Sequence, residues 1–530
     1  MKLNRVVLEV IAAGLILSGS MIAQNVIPSG VANASGTSAV TGSESSAAAA
    51  KPTNAAEVSS PSAATEAKPE TKPAAAKTDK APAKPKPRFE FTYEERIRSE
   101  SWNNIQDFNN KTDDKRGNER FRTRFTINTA INENVDVNVR MTNEFRNYRM
   151  PEVAYDYDEV FFDNLYVDFK KTPVKGLALR IGRQDIVKGE GLLFSDPSGP
   201  DGSRGSYTNA AVFTYSFPKR KAKLELLGIL NPRRERFLPT VGTAQPVTWL
   251  AVNPVGGAAY KEENRQLQES DTQAVGLYYT DKNHKNFDLE TYYFLMHELH
   301  DARAVSAANF MPDRHFHTVG GRIVSRVSKS VTVASEVTGE FGSQHAAGLT
   351  KPAATVRGWA AYIWAQKNFD AKWKPYLKAG YYGLSGDDPL TKGTNEGFDP
   401  MFARTTKFNE LPFYAGSKER GLGFAQNMFM PQFEGGVTPF KMLTVKATYQ
   451  YMKAFQPYAG AAAVFGKGTT RGSDYSVKAE VTPNKYIKSH FVYEHMAPGN
   501  FYSGTTPGWF LRAEIMYTYK YSFLTLHKKQ

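Results

Sequence analysis

The segment Val135-Asp136-Val137-Asn138-Val139-Arg140-Met141-Thr142 alternates apolar and polar residues without a break. Leu443-Thr444-Val445-Lys446-Ala447-Thr448-Tyr449-Gln450-Tyr451 does the same. A period of two sends alternate side chains to opposite faces of a sheet, so each such run predicts a β-strand. The texture begins at Arg88 and recurs to the end of the chain, while helical spacing is scarce. It predicts eighteen strands, near 88–99, 119–130, 135–146, 160–170, 176–186, 208–217, 222–231, 271–281, 286–297, 315–326, 331–342, 355–367, 372–384, 424–437, 442–454, 472–482, 486–496 and 509–521.

The connections say more than the strands. Every second one is a tight polar turn, such as Asn132-Glu133-Asn134, Lys282-Asn283-His284-Lys285, Asn368-Phe369-Asp370-Ala371 or Pro483-Asn484-Lys485. The intervening ones are long and rich in Gly, Pro and Asp, the longest near 187–207, 232–270 and 385–423. A soluble sandwich has no reason to sort its loops by length onto opposite ends. An up-and-down membrane barrel does, with short turns on one side and long loops on the other. The expected fold is therefore all-β: a single 18-stranded antiparallel transmembrane β-barrel over 88–530, whose even strand count returns both termini to one side. Beyond the N-terminus there is no apolar run near the roughly 18 residues a membrane helix needs, so helical transporters are excluded.

The first 87 residues read differently. Lys2 and Arg5, the apolar run Val10–Leu17 and the small-residue site Ala32-Asn33-Ala34 make residues 1–34 a secretory signal peptide. Residues 35–87 are rich in Ala, Pro, Lys, Ser, Thr and Glu and hold no aromatic residue, so they cannot bury enough surface to offset ordering entropy. They are expected to form a disordered periplasmic tether that could reach a periplasmic protein or peptidoglycan. The chain carries a formal +14, of which +1 lies in 1–34 and +2 in 35–87, so +11 belongs to residues 88–530.

With the apolar parity facing outer-membrane lipid, the other parity lines the interior. An arginine on the lipid face near the midplane costs about 2–4 kcal/mol, so energetics assigns the charged parity inward. That parity carries Arg120, Arg122, Arg124, Arg140, Glu144 and Arg146, then Glu336 and Glu340. Later strands add Lys374, Lys378, Lys446, Lys478, Glu480, Lys488, Arg512 and Glu514. At roughly 16–18 strands the lumen is expected to be water-filled. Inward cations would concentrate anions, and carboxylates between them would keep one binding site from becoming a trap. The pattern alone leaves general diffusion and a selective anionic substrate equally open.

Several segments resemble the alginate export family of outer-membrane porins. They are Leu179-Arg180-Ile181-Gly182-Arg183-Gln184-Asp185, and Gly386-Asp387-Asp388-Pro389 with Asn395-Glu396-Gly397-Phe398-Asp399-Pro400-Met401-Phe402. The closing run Glu494-His495-Met496-Ala497-Pro498-Gly499-Asn500-Phe501-Tyr502, followed by Trp509 to Glu514, is similar too. The resemblance extends over 88–530. It implies a monomeric barrel whose Arg-lined lumen passes an anionic uronate polymer, with Arg183 and Arg512 as lumen residues. It makes Asp387, Asp388 and Asp399 candidates for ordering the long loop, by internal hydrogen bonds or a cation. Tyr521-Ser522-Phe523 fits the aromatic strand end of such barrels.

Other classes are weighed against this. A barrel serving as scaffold, adhesin or electron-conduit sheath would need a separate haem protein, because the chain has no Cys. His297-Glu298-Leu299-His300 has the wrong spacing for a zinc protease motif and lies where a strand ends. His315 and His317 share one strand face and read as interface or lumen residues rather than ligands. No enzyme activity, cofactor, metal or nucleic-acid partner is expected. The localisation expected is the outer membrane of a Gram-negative bacterium, with both termini in the periplasm and a solute that is an acidic polysaccharide or a small anionic or hydrophilic molecule.

Overall fold

The computed structural model describes residues 89–523, except 106, 113, 151–159, 196–207, 242–246, 249–260, 263–269, 300–312, 346–352, 404–408, 413–425 and 459–461. The expected signal peptide and tether lie outside the described residues.

Eighteen long strands form one antiparallel sheet. They are β1 (Phe89–Asn103), β2 (Arg116–Ala130), β3 (Val135–Met150), β4 (Val160–Phe169), β5 (Leu177–Gln184) and β6 (Thr208–Ser216), then β7 (Ala222–Asn231), β8 (Asp271–Asp281) and β9 (Phe287–Leu299). The second half comprises β10 (Arg314–Arg326), β11 (Val331–Gln344), β12 (Trp359–Asn368), β13 (Tyr376–Leu384), β14 (Met428–Phe440) and β15 (Leu443–Lys453). It ends with β16 (Thr470–Val481), β17 (Ile487–Pro498) and β18 (Gly508–Phe523). Each strand pairs with the next, and β18 pairs back with β1 from Phe523↔Phe89 to Trp509↔Asn103, so the sheet closes and leaves no edge.

All eighteen predicted strands are present. Two boundaries move for local reasons. The strand expected at 355–367 starts at Trp359, because Ala354–Val356 forms a separate short strand beside Gly342–Gln344 and, in parallel, Thr394–Asn395. The strand expected at 372–384 starts at Tyr376, because residues 369–375 make the turn, closed by the Phe369 amide donating to Pro375 O at 2.9 Å. Lys374 sits in that turn at φ 46°, exposed, and is not the inward strand residue its parity suggested. The short turns, such as 131–134, 327–330 and 441–442, gather at one end of the barrel, and the long connections gather at the other.

The outer face carries the lipid-facing belt. Ile181, Val337, Ile363, Leu377 and Phe433 are all exposed on it, Val337 by 61%. At the short-turn end Phe369, Trp373, Phe440, Tyr519, Tyr521 and Phe523 are exposed as well, the girdle that aromatic rings form at a membrane–water boundary. Phe523 stacks on Phe89 at 4.8 Å across the closure. Glu95 is an outward carboxylate within the belt. Glu95 accepts hydrogen bonds from Tyr93 Oη (3.1 Å) and Thr123 Oγ1 (2.7 Å), which satisfy it locally. The belt makes a direct prediction. Val337→Arg should cost about 2–4 kcal/mol, because it drives a cation into the acyl region. Thr448→Arg, on the inner face opposite Glu434, should be tolerated. Urea unfolding from lipid vesicles measures both.

Candidate functional site: the lumen

Three different surfaces line the interior. The first is an arginine–carboxylate lattice on β18, β1, β2, β3 and β4. Arg98 donates to Glu514 (Nε 2.7 Å), and Arg512 donates to Glu100 (Nε 2.8 Å), so both pairs cross the seam where the barrel closes. Arg96 and Arg120 share Glu144 at 3.0 and 2.8 Å. Arg122 holds Glu94 at 2.6 Å, and Arg140 bridges Asp163 (2.7 Å) and Asp185 (2.9 Å). Arg124 lies between Glu94 and Asp163. With Glu410 on Arg512 at 2.7 Å, these seven guanidiniums face seven carboxylates. The side chains of Arg96, Arg98, Arg122 and Glu100 have no exposure. Strand periodicity brings the charges inward; the register sets Arg98 against Glu514, Glu100 against Arg512 and Arg122 against Glu144, and the arginines that face one another, Arg96 with Arg122 and Arg98 with Arg120, reach carboxylates beside them.

The second surface is apolar, which the alternation did not predict. On β7 to β10 the inward residues include Leu227, Ile229, Phe294, Met296 and Phe316, all buried. They are covered by the chain's own loops. After β5 the chain turns inward through Ile186, Leu192, Leu193 and Phe194, and Phe194 lies 5.1 Å from the Phe294 ring and 4.9 Å from Phe402. Gly276 leaves the space that the Phe294 ring occupies, since a Cβ there would meet Phe294 Cδ1 at 2.0 Å. Positive φ at Gly189 (55°) and Gly191 (79°) lets this loop fold flat against the wall. Lys188 is tied to Glu225 at 2.6 Å, and Glu190 accepts from Trp364 Nε1 at 2.8 Å. The eighteen-stranded interior is thus partly dry, because long loops can supply the apolar surface that wall side chains cannot reach across to meet.

The loop after β13 reaches both sides of the interior. Arg314 pairs with Asp399, and the Asp399 amide donates to Glu340 (2.8 Å), on the β10–β11 wall. On the β16–β18 wall, Glu410 meets Arg512, and the Leu411 amide donates to Glu494 at 2.8 Å. Phe402 N donates to Leu193 O at 3.0 Å, which joins the two inward loops.

The third surface is at the short-turn end, on β12 to β17, and is basic. Lys378 faces inward with its ammonium 4.2 Å from the Trp364 ring centre. Lys446 and Lys478 stand directly opposite one another and both reach Glu480, at 3.4 and 3.2 Å.

Residues 248–509 match one protein family, alginate export. Those residues belong to the alginate export family. With the closed barrel and its lipid-facing belt, that match supports an outer-membrane β-barrel channel of the porin and export kind rather than an enzyme. The match is narrower than the resemblance, which extended to 88–530. It takes in the Asp387–Phe402 block and Glu494–Tyr502, but not Gly182-Arg183-Gln184. Among solved structures, OccAB1 of Acinetobacter baumannii is similar at 10% identity and TM-score 0.50, over 81% of this chain and 96% of that one. OccK5 (OpdH) of Pseudomonas aeruginosa is similar at 12% and 0.48, over 82% and 98%. OprD of the same organism is similar at 10% and 0.46, over 81% and 95%. At these identities the likeness to OccAB1 bears on fold alone. No curated protein matches the chain.

Within this family barrel the residues singled out from sequence sort into distinct environments. Arg122, Arg124, Arg140, Glu144, Arg512 and Glu514 all belong to the lattice, all buried but the half-buried Arg140. Glu336 accepts from Tyr292 Oη at 2.8 Å on the apolar wall. Lys378, Lys446 and Lys478 make the basic surface. Arg183 is buried at the end of β5. The strand alternation breaks at Gly182 (φ 128°), and the Arg183 guanidinium is buried in a bidentate pair with Glu235 Oε1 and Oε2, at 3.0 and 2.7 Å. It anchors the loop after β7. His315 and His317 lie on the outer parity with exposed Val319, near Ser343 and Tyr293 respectively.

The acidic residues of the long loop make hydrogen bonds within it. Asp387 Oδ1 accepts from Glu396 N (3.1 Å), Asp388 Oδ1 from Leu390 N (2.9 Å) and Asp399 Oδ1 from Met401 N (2.8 Å). Partial desolvation, reinforced by a hydrogen bond to the Glu396 side chain, pushes the Asp387 carboxyl up to about 6. Its folded value lies above its unfolded one, so this contribution is full below about 3.9 and is lost as pH rises through about 6. Hydrogen-exchange protection of the Phe398 and Asn427 amides, which both donate to Ser385 O, should fall between pH 4 and 7. Asp387→Asn should flatten that dependence.

Proposed function

We propose that the barrel passes an acidic polysaccharide of uronate type, or a small anionic solute, across the outer membrane of a Gram-negative bacterium. In this reading the termini and short turns face the periplasm, and residues 35–87 act there as a tether. The observation that carries it is the cationic surface at the short-turn end of a closed barrel, within the residues that match alginate export. Fixed cations at a channel mouth raise the local concentration of a polyanion and speed its entry. The sheath reading requires interior room for a second protein, and here the chain's own loops occupy that room.

The test is a planar bilayer. Purified full-length protein under a salt gradient should give stepwise conductance with a reversal potential on the anion side. Oligogalacturonate should block the current, and a neutral dextrin of equal length should not. Cation selectivity would overturn the proposal.

A further inference from the structure

Arginine is the residue expected to read a carboxylate, yet here the arginines are already matched. The lattice sets seven guanidiniums against seven carboxylates, most of them buried, with Arg140, Glu94 and Asp185 keeping some exposure. A charge-matched array projects little field toward an incoming anion. Its geometry serves closure: Arg98–Glu514 joins groups 416 residues apart, and Arg512–Glu100 crosses the same seam. The lattice residues on β1 to β4 also lie outside residues 248–509.

The lysines are arranged differently. Among the described residues, Lys378 and Lys488 have no carboxylate within ion-pair distance. Lys378 is held by the Trp364 ring, and a π face positions an ammonium without cancelling its charge. Lys446 faces Lys478 across adjacent strands, a pairing of like charges that destabilises a sheet unless something offsets it. Both lysines reach one carboxylate, Glu480, and both side chains keep some exposure, 15% and 19%. Glu434, opposite Lys378, and Glu480 are two carboxylates against three lysines, so net positive charge is retained on one wall, at one end, inside the family-matched residues.

We propose that Lys378, Lys446 and Lys478 form the capture subsite that engages the carboxylates of a uronate chain as it enters from the short-turn end. The arginine lattice is the barrel's closing clasp and not its selectivity element. This rests on the anionic-solute reading above.

The experiment compares full-length wild type, Lys378→Gln/Lys446→Gln/Lys478→Gln and Arg98→Gln/Glu100→Gln in planar bilayers, where unitary conductance itself reports a folded barrel. The lysine variant should lose anion preference by about threefold or more, and block by oligogalacturonate added on the short-turn side should weaken by about tenfold. The charge-balanced Arg98/Glu100 variant should keep the wild-type preference while melting earlier. Two results overturn the capture subsite and leave the channel reading standing. One is a lysine variant that keeps wild-type selectivity; the other is an Arg98/Glu100 variant that loses as much selectivity as the lysine one. A wild type with no anion preference removes both.

Discussion

Arg98→Ala should destabilise the barrel by about 3–5 kcal/mol, the loss expected when one partner leaves a buried ion pair. The Arg98 side chain has no exposure and lies 2.6 Å from Glu514 and 3.5 Å from Glu100. Its removal strands carboxylates that water cannot reach at the seam holding the first and last strands together. Arg98→Met/Glu514→Met removes both charges and should recover most of the loss, because an apolar pair needs no compensation. Urea unfolding in detergent, followed by the shift between folded and unfolded bands on a gel, measures both variants. Equal losses in the single and double variants would mean that the lattice is not coupled across the seam.

Phe194→Ala should widen the conducting path. The ring is 1% exposed, packed between Phe294 and Phe402, and a buried Phe-to-Ala change costs about 3–5 kcal/mol. That cost falls on the attachment of the inward loop and not on the closed sheet, whose ladder is complete without it. Polar tethers remain, among them Lys188–Glu225, Glu190 with Trp364 and Arg322, and the Phe402 amide on Leu193 O, so the loop should detach intermittently. Single-channel records should show added flicker and a severalfold larger open level than wild type, with the melting temperature of the barrel nearly unchanged. A conductance equal to wild type would show that these loops do not narrow the lumen. Combining Phe194→Ala with Phe402→Ala should give less than the sum of the two, since the rings stack on each other.

The strands were legible in the sequence because their signal is local. Val135 to Thr142 carries its own period of two, and a run that must put Val on lipid and Arg inside can satisfy that in only one register. Loop lengths were equally local, and they yielded the up-and-down order. Legibility failed where a side chain's partner is distant in sequence. Nothing near Arg512 announces Glu100, and nothing near Arg183 announces Glu235. Both arginines read as lumen residues from the sequence, which does not show the carboxylate that each one meets. Lys374 misled for the opposite reason: its parity was sound, but its strand begins two residues later.

The sequence by itself determined a closed eighteen-stranded membrane barrel, the inward parity of its charges and the sorting of its loops, because bilayer solvation and backbone pairing act residue by residue along each strand. The tertiary structure alone decided which of those inward charges remain available. Closing the sheet brings β18 against β1 and pairs Arg98 and Arg512 across the seam, and folding Phe194 and Phe402 inward covers one wall with apolar side chains. Pairwise electrostatics and packing depend on which strands and loops become neighbours, and that is fixed only once the barrel has closed.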